Sequence, residues 1–119
     1  MIPLAQFDKF LGIKDIRIKD DSFYLTLSFK GELTNPHRII HGGVIASMAD
    51  TAMAGLVSER YGLCYTKVFE IEFFKQAKTD LKAEAKLVNK KMNLCLAEAI
   101  IRDKGNEIIA KAKGKYLII

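Results

Sequence analysis

Apolar and polar residues alternate along this chain with two different periods, and the changes of period mark out its elements. Leu4, Phe7, Phe10 and Leu11 recur at helical spacing and Gly12 follows as a stop, so the chain opens with a short amphipathic helix. Ile13, Ile16 and Ile18 then sit among charges, and Asp20-Asp21-Ser22 supplies turn chemistry. Beyond it Phe23, Leu25, Leu27 and Phe29 alternate with Tyr24, Thr26 and Ser28. Period-two alternation on both sides of a turn predicts a hairpin. Lys30 to Ile40 is a loop broken by Gly31, Asn35 and Pro36.

From Gly42-Gly43 the period returns to that of a helix, in a proline-free run of mostly good helix formers that fades near Tyr61-Gly62. Ile45, Met48, Ala49, Ala52, Met53 and Leu56 form its core-facing stripe. Gly43, Ala46, Ser47, Asp50, Ala54 and Val57 form the adjoining strip, small-residued around one acid, where another helix can come close.

The remainder alternates as strands. In Thr66 to Gln76, Phe69, Ile71 and Phe73 share one face and Glu70 and Glu72 the other. Lys82 to Val88 leads into a turn at Asn89–Asn93, Leu94 to Arg102 into a turn at Asp103–Asn106, and Glu107 to Ile118 is the last strand. With no βαβ alternation after the long helix, the class is α+β. The expected packing wraps a curved antiparallel sheet around one long central helix. At 119 residues, half of them hydrophobic, residues 1–119 make a single domain.

Two features carry candidate chemistry. The first N–H groups of the long helix lack partners within it and sit at the positive end of its dipole, so Gly42-Gly43 suits an anion or a developing oxyanion. Asp50, flanked by Ala46, Ala49, Thr51 and Ala54, is an acid on a small-residued strip. A buried carboxylate needs a partner or a task, and on these residues alone pinning a neighbouring loop and doing chemistry are equal readings. Eight residues of helix separate Gly42 from Asp50, roughly 12 Å at about 1.5 Å per residue. One small reacting group cannot touch both in one chain. If they act together, they come from two antiparallel helices of a dimer.

The loop before the helix adds Asn35, His37, Arg38 and His41. His37 and Arg38 read as exposed, while His41 either braces the loop or points at a ligand.

Composition narrows the rest. No run approaches the ~20 apolar residues of a membrane span, and the N-terminal residues lack a signal pattern, so a soluble cytoplasmic protein without membrane partners is expected. Cys64 and Cys95 lie among apolar residues without metal-ligand spacing and read as reduced thiols, with no metal site. The net charge of +5 comes from lysines spread over strand faces. It suits a phosphate-bearing ligand better than nucleic acid, for which no aromatic-interleaved basic cluster exists.

These residues resemble the PaaI-like branch of the hotdog-fold thioesterases. That family carries an Asn, six residues later His-Gly-Gly, and eight residues after the first glycine an Asp. Here these are Asn35, His41-Gly42-Gly43 and Asp50. A Thr then opens the next strand in a pattern like Thr-x-x-Leu-x-x-x-Phe-Leu-Arg-Pro-Ala, matched by Thr66 to Ala77. The likeness runs from about Ser22 to the end. It departs at Arg38, where the family usually has Gly, and at Lys75-Gln76-Ala77, where it has Arg-Pro-Ala.

The resemblance implies an acyl-CoA thioesterase acting on an acyl- or aryl-acyl-CoA, homodimeric and extending to a homotetramer, with coenzyme A as part of the substrate and no cofactor. The Gly42 N–H would polarise the thioester carbonyl, with Asn35 shaping and His41 supporting that half of the site. Asp50 of the other subunit would be nucleophile or base, oriented by Thr66. Gly43, Arg38 and Phe73 would meet the substrate, and Lys90 and Lys91 would meet coenzyme A phosphates unless they are merely exposed turn residues. Two other readings stand beside it. One is a non-catalytic acyl-CoA binding or sensing protein on the same fold. The other is a hydratase or dehydratase of acyl thioesters, which His37 and His41 keep open.

Overall fold

The computed structural model describes residues 4–119; Met1–Pro3, the first residues of the N-terminal stretch without a signal pattern, lie outside them. In order, the elements are α1 (Gln6–Leu11), β1 (Ile13–Lys19), β2 (Ser22–Leu27), a 3-10 turn (Gly31–Leu33), α2 (Gly42–Tyr61), β3 (Cys64–Phe73), β4 (Leu81–Lys91), β5 (Leu94–Asp103) and β6 (Ile108–Ile118).

Local chemistry accounts for most boundaries. Gly12 ends α1 in the left-handed conformation, and its N–H reaches the carbonyls of Asp8 and Lys9. Asp20 and Asp21 both have positive φ and join β1 to β2 as the two-residue turn that matches strand twist.

The six strands form one antiparallel sheet in the order β1-β2-β4-β5-β6-β3. The sheet curves around α2, whose stripe Ile45, Met48, Ala49, Ala52, Met53 and Leu56 is buried together with Val57. The helical spacing places Val57 on the adjoining strip, whereas the structure buries it in the core. The helix nests deeply because the sheet's inner face is made of small residues. Ala83 and Ala85 of β4, Ala97 and Ala99 of β5, and Ala110 and Ala112 of β6 are all buried beneath it. A second close approach occurs at Gly55, where an added Cβ would lie 2.6 Å from the Phe23 ring.

Several boundaries differ from the sequence reading, and β2 ends at Leu27 before Phe29. β3 begins at Cys64 and ends at Phe73, and β4 runs on to Lys91. A bulge between Leu87 and Asn89 keeps the strand paired, with Lys91 opposite Leu94, so only Met92 and Asn93 remain as a turn. Asn89, Lys90 and Lys91 are therefore strand residues. β3 lies at an edge of the sheet, and among the described residues its other side is unpaired.

Candidate functional site

Asp50 lies halfway along α2 and is half-buried. Two hydroxyls converge on its Oδ1. Thr66 Oγ1 donates from β3 at 2.9 Å and Tyr116 Oη from β6 at 2.8 Å. Thr66 and Tyr116 are cross-strand partners, which is why both reach one oxygen. Among the described residues no donor reaches Oδ2. The donors come from two strands of the sheet rather than from a loop.

Tyr116 is fully buried, and its ring lies over Gly114, where a Cβ would come within 2.5 Å of it. Glycine there makes room for the ring. Burial first, and then the charge of Asp50, push the phenol far above its ordinary range, so Tyr116 remains a proton donor at any working pH. Cys64 is nearby, with its S–H directed at the Ala54 carbonyl at 3.8 Å. Burial, then Cys95, then Asp50 raise its pKa, and such a thiol is a poor nucleophile. Cys95 is likewise raised by burial, against a lowering by Lys90. The two thiols are on β3 and β5 with β6 between them, roughly 10 Å apart at two strand spacings. Both are free.

The start of α2 is arranged separately. His41 is the N-cap residue, and its Nδ1 accepts the Gly43 N–H at 2.9 Å. His41 thus braces the helix start, and with Nδ1 accepting, its neutral ring carries its proton on Nε2. The Val44 and Ile45 N–H groups turn to the His41 carbonyl at 2.9 and 3.3 Å. Among the described residues the Gly42 N–H has no acceptor. The Phe73 ring packs over Gly42, 3.4 Å from where a Cβ would be. The structure therefore brings together His41, Gly42, Gly43 and Phe73.

The preceding loop is pinched by a bridge between Thr34 and Ile40. Within it the Asn35 side-chain oxygen accepts the His37 N–H at 2.9 Å, and the Asn35 carbonyl accepts the Arg38 N–H at 2.9 Å. Asn35 is thus the internal tie of the loop. The backbone of Ile40 then bonds to Ala77 and that of His41 to Leu33, both at 2.8 Å, which anchors the helix start.

Arg38 is exposed with φ of +65, the left-handed region where a side chain costs about 1–2 kcal/mol. That is the physical reason a glycine suits this position. Arg38→Gly is expected to raise stability by about 0.5–1 kcal/mol after the extra unfolded-state freedom of glycine is subtracted. A denaturant midpoint that falls instead would show that the Arg38 side chain holds the loop.

Three expected partners are not assembled within one chain. Gly42 and Asp50 remain about 12 Å apart along α2. Lys90 sits near the opposite end of the helix from Gly42, with Nζ 5.0 Å from the Tyr61 ring centroid, and Lys91 is exposed.

Tyr116 and Asp8 escaped the sequence reading. For Tyr116 the available signal was the row Ala110, Ala112, Gly114, Tyr116, in which a polar-tipped aromatic follows small inward residues. Beside Asp50 opens a cleft of about 360 Å³ between α1, β1 and α2, lined by Asp8, Ile16, Phe23, Ala54 and Cys64 among others. A larger hollow of about 540 Å³ lies on the outer face of the sheet, around Glu70, Glu98 and Lys113. It touches neither Asp50 nor the start of α2, so the smaller cleft is the candidate site.

Among the described residues no group of three or more His, Cys, Asp and Glu is placed to hold a metal ion, and no helix is long and apolar enough to cross a membrane.

Comparison with known proteins points one way. The model of the thioesterase superfamily matches residues 37–110. A relative from Saccharolobus solfataricus, provisionally named an esterase, is 26% identical over 117 residues, spanning 96% of this chain and 84% of that protein. Among solved structures, the PaaI protein of the E. coli phenylacetic acid degradation operon superposes with a TM-score of 0.90 at 24% identity, over 97% of this chain and 85% of that one. A phenylacetic acid degradation-related protein of Ralstonia eutropha superposes with a TM-score of 0.88 at 24% identity, over 98% and 92%. At these identities the structures establish a shared fold, the PaaI-like hotdog.

Proposed function

This chain belongs to the thioesterase superfamily, and from that premise we propose that it hydrolyses the thioester of an acyl- or aryl-acyl-CoA at a site shared by two copies. The observation that carries the reading is the Asp50 carboxylate, held at Oδ1 by two hydroxyls with Oδ2 left open. A group so held is oriented before substrate arrives, which is what acyl transfer asks of a base or nucleophile.

The second half of the site is the Gly42 N–H of another copy. β3 favours this pairing, because it is a ten-residue edge strand with Tyr65, Val68 and Phe73 exposed. Exposed edges of this kind pair with a second strand. Two β3 strands related by a two-fold axis run antiparallel, so the Thr66 end of one meets the Phe73 end of the other. Thr66 marks Asp50 and Phe73 marks Gly42. The two-fold thus closes the 12 Å gap that one chain leaves.

In the reaction, the N–H stabilises charge growing on the carbonyl oxygen. Asp50 Oδ2 either takes a proton from water as the water oxygen bonds to the carbonyl carbon, or attacks that carbon itself to form an acyl-aspartyl anhydride, which a water then cleaves to release the acid, restore the carboxylate and supply the proton. The C–S bond breaks, the electron pair leaves with sulfur, and the proton passes to the coenzyme A thiolate. His41 spends Nδ1 on the backbone, which leaves Nε2 and the exposed His37 as the histidine groups a hydration could use. Exposed Arg38, Lys90 and Lys91 are proposed to meet phosphates of coenzyme A.

The test is thiol release from short-chain, long-chain and aryl acyl-CoAs by the purified protein, with its mass in solution measured alongside. Turnover of at least one member by a dimer or larger assembly is expected. Binding without turnover across the panel would favour the sensing protein instead. Tyr116→Phe separates positioning from packing. The ring over Gly114 stays while one donor to Asp50 is lost, so kcat should fall about 10- to 100-fold with KM nearly unchanged. An unchanged kcat would remove Tyr116 from the site.

A further inference from the structure

The cleft beside Asp50 has a second carboxylate. Asp8 of α1 is only 9% exposed, and its Oδ1 accepts the Thr51 hydroxyl at 2.8 Å. Among the described residues no donor reaches Oδ2, yet no sealed side-chain oxygen is left without a partner. Asp8 Oδ2 is therefore not sealed off, and Asp8 is one of the residues that line the cleft.

The surroundings state what it faces. Asp50 and Thr51 are neighbours on α2, so their Cα atoms are about 3.8 Å apart and the two carboxylates lie within roughly 10 Å. Ile16, Phe23, Ala54 and Gly55 give the cleft apolar wall, and Thr51, Ser58 and Glu59 give it polar wall as well. Asp50, Asp8 and Glu59 are its charged lining residues, with no lysine or arginine among them, in a chain whose net charge is +5.

We propose that Asp8 is a specificity-determining residue that selects acyl groups carrying a hydrogen-bond donor, a hydroxyl or an ammonium, near their far end. The inference rests on the hydrolase reading above, with the reacting carbonyl at Asp50 and the acyl tail in the cleft. A tail with a donor restores to Asp8 the hydrogen bond it loses when water leaves. An alkyl tail strips that water and returns nothing, and a tail ending in carboxylate adds repulsion. A hydrogen bond to a charged group discriminates by roughly 10- to 100-fold.

The experiment uses a matched six-carbon set: hexanoyl-CoA, 6-hydroxyhexanoyl-CoA, 6-aminohexanoyl-CoA and adipoyl-CoA. Thiol release is measured for the parent protein, Asp8→Asn and Thr51→Ala. The parent should favour the hydroxyl or the ammonium member over hexanoyl-CoA at least tenfold in kcat/KM, with adipoyl-CoA the poorest. Which of the two leads identifies the donor. In Asp8→Asn the preference for the ammonium member and the discrimination against adipoyl-CoA should both shrink to within about threefold, because the charge is gone while the side-chain shape remains. Thr51→Ala should fall between.

Equal kcat/KM across the set, or an ammonium preference and a discrimination against adipoyl-CoA that are both unchanged in Asp8→Asn, would overturn the proposal. Binding of the four thioether analogues by calorimetry separates it from the hydrolase reading. If nothing is hydrolysed but the analogues bind in the same order and Asp8→Asn levels it, the tail subsite stands and the hydrolase reading falls. If hydrolysis proceeds without discrimination, the reverse holds.

Discussion

Asp50→Asn is expected to lower thiol release by about 10²- to 10⁴-fold while leaving KM within a few-fold of the parent value. The substitution is nearly isosteric. An amide oxygen can still accept from Thr66 and Tyr116, whose hydroxyls lie 2.9 and 2.8 Å from Oδ1. The buried ring over Gly114 is untouched, so the fold and assembly should survive. What is lost is the charge and basicity at Oδ2, and a neutral amide neither deprotonates water nor attacks a thioester carbonyl. The check is steady-state kinetics on the best acyl-CoA, with circular dichroism and solution mass to confirm the folded assembly. Activity retained within a few-fold would sink Asp50 as base or nucleophile.

Gly42→Pro should cost about 10²- to 10³-fold in kcat, the usual consequence of removing one oxyanion donor. Proline is the informative replacement because Gly42 is the first residue of α2, where proline is tolerated. His41 before it already has φ of −59 and ψ of 136, the backbone a residue preceding proline prefers. The variant therefore deletes the N–H while keeping the helix start, and its ring fills the space in front of that nitrogen and beside Phe73, whose ring lies 3.4 Å from a Cβ at this position. Its strongest use is in combination. If one site draws Gly42 from one copy and Asp50 from the other, co-assembled Asp50→Asn and Gly42→Pro chains contain intact sites. Random pairing restores roughly a quarter of the parental activity. No recovery in verified mixed dimers would mean that the two residues do not share a site across the interface.

Much of the fold was legible because it depends on local periods. The stripe Ile45, Met48, Ala49, Ala52, Met53 and Leu56 repeats at the helical spacing, and α2 buries those six residues. The later strands were legible from two-residue alternation, with errors of a few residues at β3 and β4. The extension of β4 to Lys91 was not, because a bulge at Leu87–Asn89 shifts the register without leaving a breaker in the chain. Arg38 is a different case. Its positive φ belongs to a loop closed by Asn35 and by the Thr34–Ile40 bridge, and nothing in an arginine announces it.

For the candidate site the division is sharper. Asp50 among alanines, and a glycine pair opening a long helix, are contrasts visible within ten residues of chain. So is the spacing that prevents Gly42 and Asp50 from meeting in one subunit, since helix rise is constant. Tyr116, by contrast, is 66 residues from the carboxylate it holds. It reaches Asp50 only because β6 lies next to β3, because Thr66 and Tyr116 fall in register, and because Gly114 leaves room for the ring. Asp8 meets Thr51 only because α1 packs against α2. Residue order dictates periodicity and caps, which arise between near neighbours. Strand order and helix docking are settled by how a whole set of apolar faces is buried at once, and the partners of Asp50 follow from that collective choice.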